Sequence, residues 1–362
     1  MGTKKWLAGA AGVFAASLAL SACTPTPQAS QPGLSTASVA TIAWNQAFYS
    51  ANGVTSFGNA TANANILYMT NDSFNYYDKD LKLVPNTSFG TYEKTSDSPL
   101  TVKQTIADTA TWSDGVPVTP ADLILNTFAQ SGLYNNYEAK LDDETGDVGG
   151  KNTGTKVFFN ASSPGFALIK KFPTVDGKTI TYEYSKPYVD WDKGLMTTGV
   201  PAHVVGKRAL GIDDPTQAAQ AVSDAFKNKD NAALAKISNV WNSDFNFKTM
   251  PADKELLVSD GPYVITDLKE EQYVTLSKNP NYKGSHVPSI DTITVRIIPD
   301  AQASVQALQN GEVLATQPQA TADILKQMQA LPNVTVLNGV GATYEHVDMA
   351  QNNKGPFDPA KY

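Results

Sequence analysis

Apolar and polar positions divide the chain into three textures. The first is a block in which Lys4 and Lys5 precede an apolar stretch over 6–20, rich in Ala and Leu, followed by Ser21, Ala22 and Cys23. A basic start, an apolar middle and small residues before a cut describe an export signal over 1–22, to be set aside before fold reasoning. The second texture, 24–40, holds Pro, Ser, Thr, Gln and Gly, with no charge and little apolar bulk. Such a segment cannot bury enough surface to order itself, so 23–40 is expected to be a flexible tether. From Thr41 the third texture begins, short apolar stretches parted by turn residues.

Within this third part the local patterns predict individual elements. Ile66-Leu67-Tyr68-Met69 reads as a buried segment, strand or helix, because so short an apolar run does not fix the period. The segments 156–159 and 179–184 predict strands. Thr119-Pro120-Ala121-Asp122 offers a cap, a proline for the first turn and an acid three after the threonine. Leu123, Ile124 and Phe128 then give a helix an apolar face toward Gly132. Asp214-Pro215 repeats the device ahead of an Ala-rich helix, and a second helix covers 232–240. A strand pair over 262–266 and 272–277 flanks the charged turn Lys269-Glu270-Glu271. Residues 291–299 alternate, with Ile293, Val295 and Ile297 on one face and Thr292, Thr294 and Arg296 on the other. Asp300 starts a helix that Gly311 stops, and another runs over 322–331. Strands alternating with helices at irregular spacing predict an α/β or α+β body.

Composition narrows the function classes. The length of 362 residues suits two domains or one large one. The 28 basic and 35 acidic residues leave a net charge of -7, which argues against nucleic acid as a partner. No second apolar run of spanning length follows the first, which argues against a multi-pass membrane protein. One cysteine rules out an internal disulfide and a cysteine-based zinc cluster. His203, His286 and His346 are scattered, and the chain has no Gly-x-Ser-x-Gly, Gly-x-x-x-x-Gly-Lys or Gly-x-Gly-x-x-Gly. The acidic run 142–147 lacks the ligand spacing of an EF-hand loop and reads as a solvated turn. Arginine occurs only at Arg208 and Arg296, leaving few bidentate clamps for an anionic ligand. The expectation is a binding protein and not an enzyme, with no catalytic residues, metal or cofactor.

Several segments resemble known patterns. Leu20-Ser21-Ala22-Cys23 resembles the bacterial lipobox, which implies a lipid on Cys23 as the new N-terminus and an extracytoplasmic protein tied to the cell membrane. Cutting there removes Lys4 and Lys5 and no acid, leaving 26 bases against 35 acids and a charge of -9. Thr111-Trp112-Ser113-Asp114-Gly115-Val116-Pro117-Val118-Thr119-Pro120-Ala121-Asp122 resembles the Trp-Ser-Asp-Gly-x-Pro-Val-Thr-Ala-x-Asp signature of the peptide/nickel-type (family 5) substrate-binding proteins of bacterial ABC importers. Asp260-Gly261-Pro262-Tyr263, Leu276-Ser277-Lys278-Asn279-Pro280-Asn281-Tyr282 and the stretch from Ile290 to Glu312 are similar to further family segments, with Lys278 in place of the usual Arg. Tyr344-Glu345-His346-Val347-Asp348 is similar to a version associated with actinobacterial members. Trp112 is expected to be a core anchor, and these motifs are expected to be scaffold.

The resemblance implies a type II periplasmic-binding-protein fold, two α/β lobes about a cleft. It places lobe I at 41–75 and 196–289, an inserted subdomain at 76–195 and the start of lobe II at 290–362. Family members continue well beyond this length, and Pro356-Phe357-Asp358-Pro359 opens a helix just before the last residue, so the second lobe is expected to be incomplete. The implied function is capture of peptides or similar small solutes outside the membrane and delivery to ABC permease subunits. A lipid-anchored surface interaction protein that keeps the fold without transport is the alternative. Asn45, Tyr49, Tyr344 and His346 are the expected ligand-binding residues, because the first strand with its loop and the strand entering lobe II border the cleft in such folds.

Overall fold

The first strand, β1 (Val39–Trp44), sets the architecture through its alternation. Ile42 and Trp44 join one apolar cluster, and Ala43 joins another on the opposite side. The computed structural model describes residues 38–142, 148, 150–194, 197–337, 347, 349 and 354–359. The expected export signal, Cys23 and the tether to residue 37 lie outside them, as do 143–147, Tyr344 and His346.

After β1, a loop leads to α1 (Thr61–Thr70). Then come β2 (Asn75–Tyr77), β3 (Leu83–Pro85), β4 (Gly90–Asp97), β5 (Leu100–Ile106) and α2 (Pro120–Ala129). A long irregular stretch reaches β6 (Thr174–Asp176), β7 (Thr179–Glu183) and the short α3 (Trp191–Gly194). Three helices follow, α4 (Ala202–Leu210), α5 (Pro215–Asn228) and α6 (Asn231–Asn239). The chain then forms β8 (Tyr263–Lys269), β9 (Tyr273–Lys278), β10 (Thr292–Ile297), α7 (Ala301–Gln309), β11 (Ala315–Thr316) and α8 (Ala322–Ala330).

One sheet has the order β11-β1-β10-β9-β8. β1 runs parallel to both β10 and β11, while β9 is antiparallel to β10 and β8. α1 supplies Ile66, Leu67 and Met69 to the face that carries Ile42, Trp44 and Val295. α7 supplies Ala307 and Leu308 to the face of Ala43. β10, expected at the start of the second lobe, is thus hydrogen-bonded between β1 and β9.

The second sheet, β4-β5-β7-β6, is antiparallel throughout. β5 buries every second residue, and α2 buries all ten of its own. The largest core joins this sheet and α2 to the later helices: Val102, Phe128, Phe159 and Tyr182 share it with Val204, Phe226, Leu234 and Trp241. The expected insertion and the helices after it therefore have one core between them.

Caps start the helices where the sequence places them. The Asp122 carboxylate accepts from the Thr119 N–H at 2.8 Å, Asp214 from Gln217 N–H at 2.8 Å and Asp300 from Ala303 N–H at 2.7 Å. Gly311, at φ 72, follows α7 in the left-handed conformation that ends it. Ile66 to Met69 resolves as helix. The strand expected over 156–159 does not form. The segment alternates in burial and the Val157 carbonyl accepts from the Asn136 N–H at 3.0 Å, but two of its own N–H groups go to side-chain amides: Val157 N–H to Asn136 Oδ1 and Phe159 N–H to Asn135 Oδ1, both at 2.8 Å. Asn152 and Asn242 donate to the Phe158 carbonyl at 3.0 and 2.8 Å. Four asparagines do the work of a neighbouring strand.

Candidate ligand-binding site

In an open sheet with parallel strands, ligands bind outside the carboxyl ends of those strands. Here β1, β10 and β11 end together, and the loop 45–60 carries the chain from β1 to α1. A cavity of about 400 Å³ lies between this sheet and α1, walled by Ile42, Trp44, Ile66, Met69, Val295 and Gln317. Its lining is mainly apolar with few polar groups, as small-molecule sites generally are. At the end of β1, two consecutive side chains keep a buried polar atom without a partner among the described residues. Trp44 Nε1 has a proton to donate, and Asn45 Oδ1 has lone pairs to offer.

Tyr49 has a different environment. Its hydroxyl donates to the Phe57 carbonyl at 2.9 Å and its ring meets Phe57 edge-on at 5.1 Å. Its N–H and that of Ser50 donate to Asn63 Oδ1 at 2.9 and 3.0 Å. These bonds staple the loop onto the start of α1, so Tyr49 fixes the loop that holds Asn45. Asn45 and Tyr49 are thus brought into one loop, whereas Tyr344 and His346 lie outside the described residues.

Sequence reasoning missed Tyr68, which is 64% exposed on α1 and lines two cavities. The second, about 290 Å³, runs along the other flank of α1 beside Asn52, Asn71 and Asp72. An exposed tyrosine inside an apolar tetrad was the available cue. The helical period needed to use it is not fixed by four residues.

The motif segments meet beneath this surface. Ser113 N–H donates to the Ser259 carbonyl at 2.8 Å, and Asn281 Nδ2 donates to the Ser113 carbonyl at 2.7 Å. Asn279 Nδ2 donates to the Gly261 carbonyl at 2.9 Å. Trp112 is 0% exposed, as a core anchor should be. Gly261 packs directly on the end of α1, where a Cβ would sit 2.5 Å from the Thr70 carbonyl carbon. Lys278, in the position of the usual Arg, pairs with Asp291 at 2.6 Å.

Three buried carboxylates tie these segments together. Asp260 accepts from the Asp72 N–H at 3.0 Å and the Thr198 hydroxyl at 2.6 Å. Asp72 accepts from the Tyr282 hydroxyl at 2.9 Å and from Asn86 Nδ2 at 2.6 Å. Asp122 accepts from the Ala202 N–H at 2.8 Å, linking the starts of α2 and α4. Burial pushes all three up from the ordinary carboxylate range, and Asp260 is pushed up to about 7, with the neighbouring Asp72 and Asp122 charges adding to the effect. His203 Nε2 lies 2.8 Å from Asp114, and its ring meets Trp112 edge-on. Burial raises Asp114, but hydrogen bonds from His203 and the Val116 N–H outweigh it and hold its carboxyl below the usual range.

Among the described residues no group of three or more His, Cys, Asp or Glu side chains is placed to hold a metal ion. No helix among them is long and apolar enough to cross a membrane. What the surface offers is apolar walls with a few amide and carboxyl groups, beside a strand end whose Trp44 and Asn45 keep buried polar atoms unpaired among the described residues.

Residues 85–362 match the family described as bacterial extracellular solute-binding proteins, family 5 Middle. An uncharacterized lipoprotein of Mycobacterium leprae (strain TN) is 28% identical over 301 residues, covering 82% of this chain and 47% of that one. Among solved structures, a periplasmic EDTA-binding protein, EppA, superposes with a TM-score of 0.60 at 24% identity, over 83% of this chain and 49% of that one. The oligopeptide-binding protein AppA from Bacillus subtilis, solved with a nonapeptide, superposes at 0.53 and 16% identity, over 82% and 46%. The chain spans about half the length of these proteins. The fold is that of type II periplasmic binding proteins, of mixed α/β content.

Proposed function

Because the chain belongs to family 5 of the bacterial extracellular solute-binding proteins, we propose that it is the substrate-binding component of an ABC importer. It captures peptides or similar small solutes outside the membrane and delivers them to permease subunits. Family 5 members are binding proteins, and the reading needs no covalent chemistry.

The observation that carries the peptide reading is the pair at the end of β1. Trp44 Nε1–H and Asn45 Oδ1 are one buried donor and one buried acceptor without partners among the described residues, and a peptide group offers one acceptor and one donor. Leaving such atoms unmatched costs about 1–3 kcal/mol each, a cost that a complementary ligand removes. The cavity beside Trp44 adds apolar walls for side chains. Ligand bound there would favour a closed arrangement of lobes, which the permease would distinguish from the open one.

Lobe I is taken to include 41–75 and 196–289, with 76–195 inserted. β10 and β11 are added to it because both pair with β1, so the passage to lobe II falls after β11. Residues 1–22 would be removed on export and Cys23 would carry the lipid, tethered through 23–40. Incorporation of labelled palmitate, lost in Cys23→Ser, tests the anchor. Titration calorimetry with trialanine tests the function: micromolar binding is expected, weakened about tenfold by Asn45→Ala. Binding unaffected by that substitution would remove Asn45 from the site.

A further inference from the structure

The second cavity on α1 has a chemistry of its own. Asn52 lies in its wall and is 1% exposed. Asn52 Nδ2 donates to the Trp241 carbonyl at 2.7 Å, which fixes the orientation of the amide, since the flipped form would set oxygen against oxygen. Its Oδ1 is left without a donor among the described residues. A buried unpaired acceptor asks for an N–H or O–H from outside the protein.

The other polar groups in the wall are neutral or acidic, with Asn59, Asn71, Ser73 and Thr197 contributing amides and hydroxyls. Asp72 brings a carboxylate and Asn71 an amide oxygen, which already accepts from the Thr70 hydroxyl at 3.1 Å. No lysine or arginine among the described residues lines the cavity. Both arginines are occupied elsewhere, Arg208 by Asp244 and Asp253 and Arg296 by Glu312. Val54, Ala64, Leu67 and Tyr68 supply an apolar wall of the kind that covers an aliphatic stem. Tyr68 also borders the cavity beside Trp44, so a ligand held at the end of β1 has this space within reach.

We propose that this cavity is a subsite for a cationic group on an aliphatic stem, the lysine or arginine side chain of a bound peptide. The subsite rests on the peptide reading given above and adds a preference to it. A cation placed against Asn52 Oδ1, Asn71 and Asp72 makes charge-assisted hydrogen bonds, roughly twice as strong as neutral ones. An anionic side chain meets the Asp72 carboxylate there and no basic group among the described lining residues.

The experiment titrates the full chain with Ala-Lys-Ala, Ala-norleucine-Ala and Ala-Glu-Ala in a calorimeter. The lysine peptide should bind about tenfold more tightly than its norleucine counterpart, and the glutamate peptide most weakly. Asn71→Leu, which removes an acceptor from a half-buried position, should bring the lysine-to-norleucine ratio toward one. Asn71→Asp, checked for folding by circular dichroism, should widen it. Equal affinity for the three peptides overturns the subsite and leaves the peptide reading standing. Failure of all three to bind overturns the peptide reading and the subsite with it.

Discussion

Asp260 is fully desolvated by its surroundings and still accepts two hydrogen bonds, from Asp72 N–H and the Thr198 hydroxyl. Burial raises it to about 7, well above the ordinary carboxylate range. The folded chain therefore holds this proton over a range in which the unfolded chain has released it. Stability from this group is fully present below about pH 4 and is lost as pH rises toward about 7. Asp260→Asn keeps the shape and removes the charge, so melting temperature measured from pH 4 to 8 should fall less steeply in the variant than in the wild type. Parallel curves would contradict the assignment. Next to it, Gly261→Ala would drive a methyl group into the Thr70 backbone, and neither backbone can yield. A loss of about 3 kcal/mol in denaturant unfolding is expected. At this scale Trp112 was legible, because a tryptophan before an Asp-Gly turn and a capped helix has little to do but anchor them. Asn52 was not, since Ala51-Asn52-Gly53 reads as any turn, and only Trp241 from 189 residues away fixes its amide.

Elements announced by their ends came out as expected; of those announced by residue pattern alone, β7 and β10 formed and the strand expected over 156–159 did not. α2, α5 and α7 begin at their proline or acidic caps because the cap chemistry is local, a carboxylate taking N–H groups within three residues. Asp214→Ala should cost about 1 kcal/mol of stability by chemical denaturation. The segment 156–159 has the composition of a strand and no strand beside it. Asparagines from positions 135, 136, 152 and 242 hold it instead, and nothing local to 156–159 announces them. Asn242 donates to the Phe158 carbonyl and accepts from the Asn160 N–H while only 3% exposed. Asn242→Leu should therefore cost about 2–3 kcal/mol, more than an exposed cap, and amide exchange in 156–160 should quicken. Unchanged exchange there would mean that the asparagine bonds do not hold the segment.

For the whole molecule, the sequence motifs were informative because they are spaced far apart and meet in space. Ser113, Ser259, Gly261, Asn279 and Asn281 form one hydrogen-bonded junction, a structural role shared by three separate segments that carry the family resemblance. The cavities were illegible for the opposite reason. The one beside Trp44 is assembled from segments up to some 275 positions apart, as Ile42 and Gln317 illustrate, and the other joins Ala51 to Gly199. No periodicity records which exposed residues will face each other across α1. Likewise β10 was recognised as a strand, but its place beside β1 depends on a parallel pairing over 250 residues that pattern alone does not encode. The central claim is that solute is captured at the carboxyl end of β1. Hydrogen exchange read by mass spectrometry, with and without a saturating oligopeptide, tests it most directly. Slower exchange confined mainly to 44–50 and to the flanks of α1 is expected; slowing elsewhere with none in these segments would contradict the account.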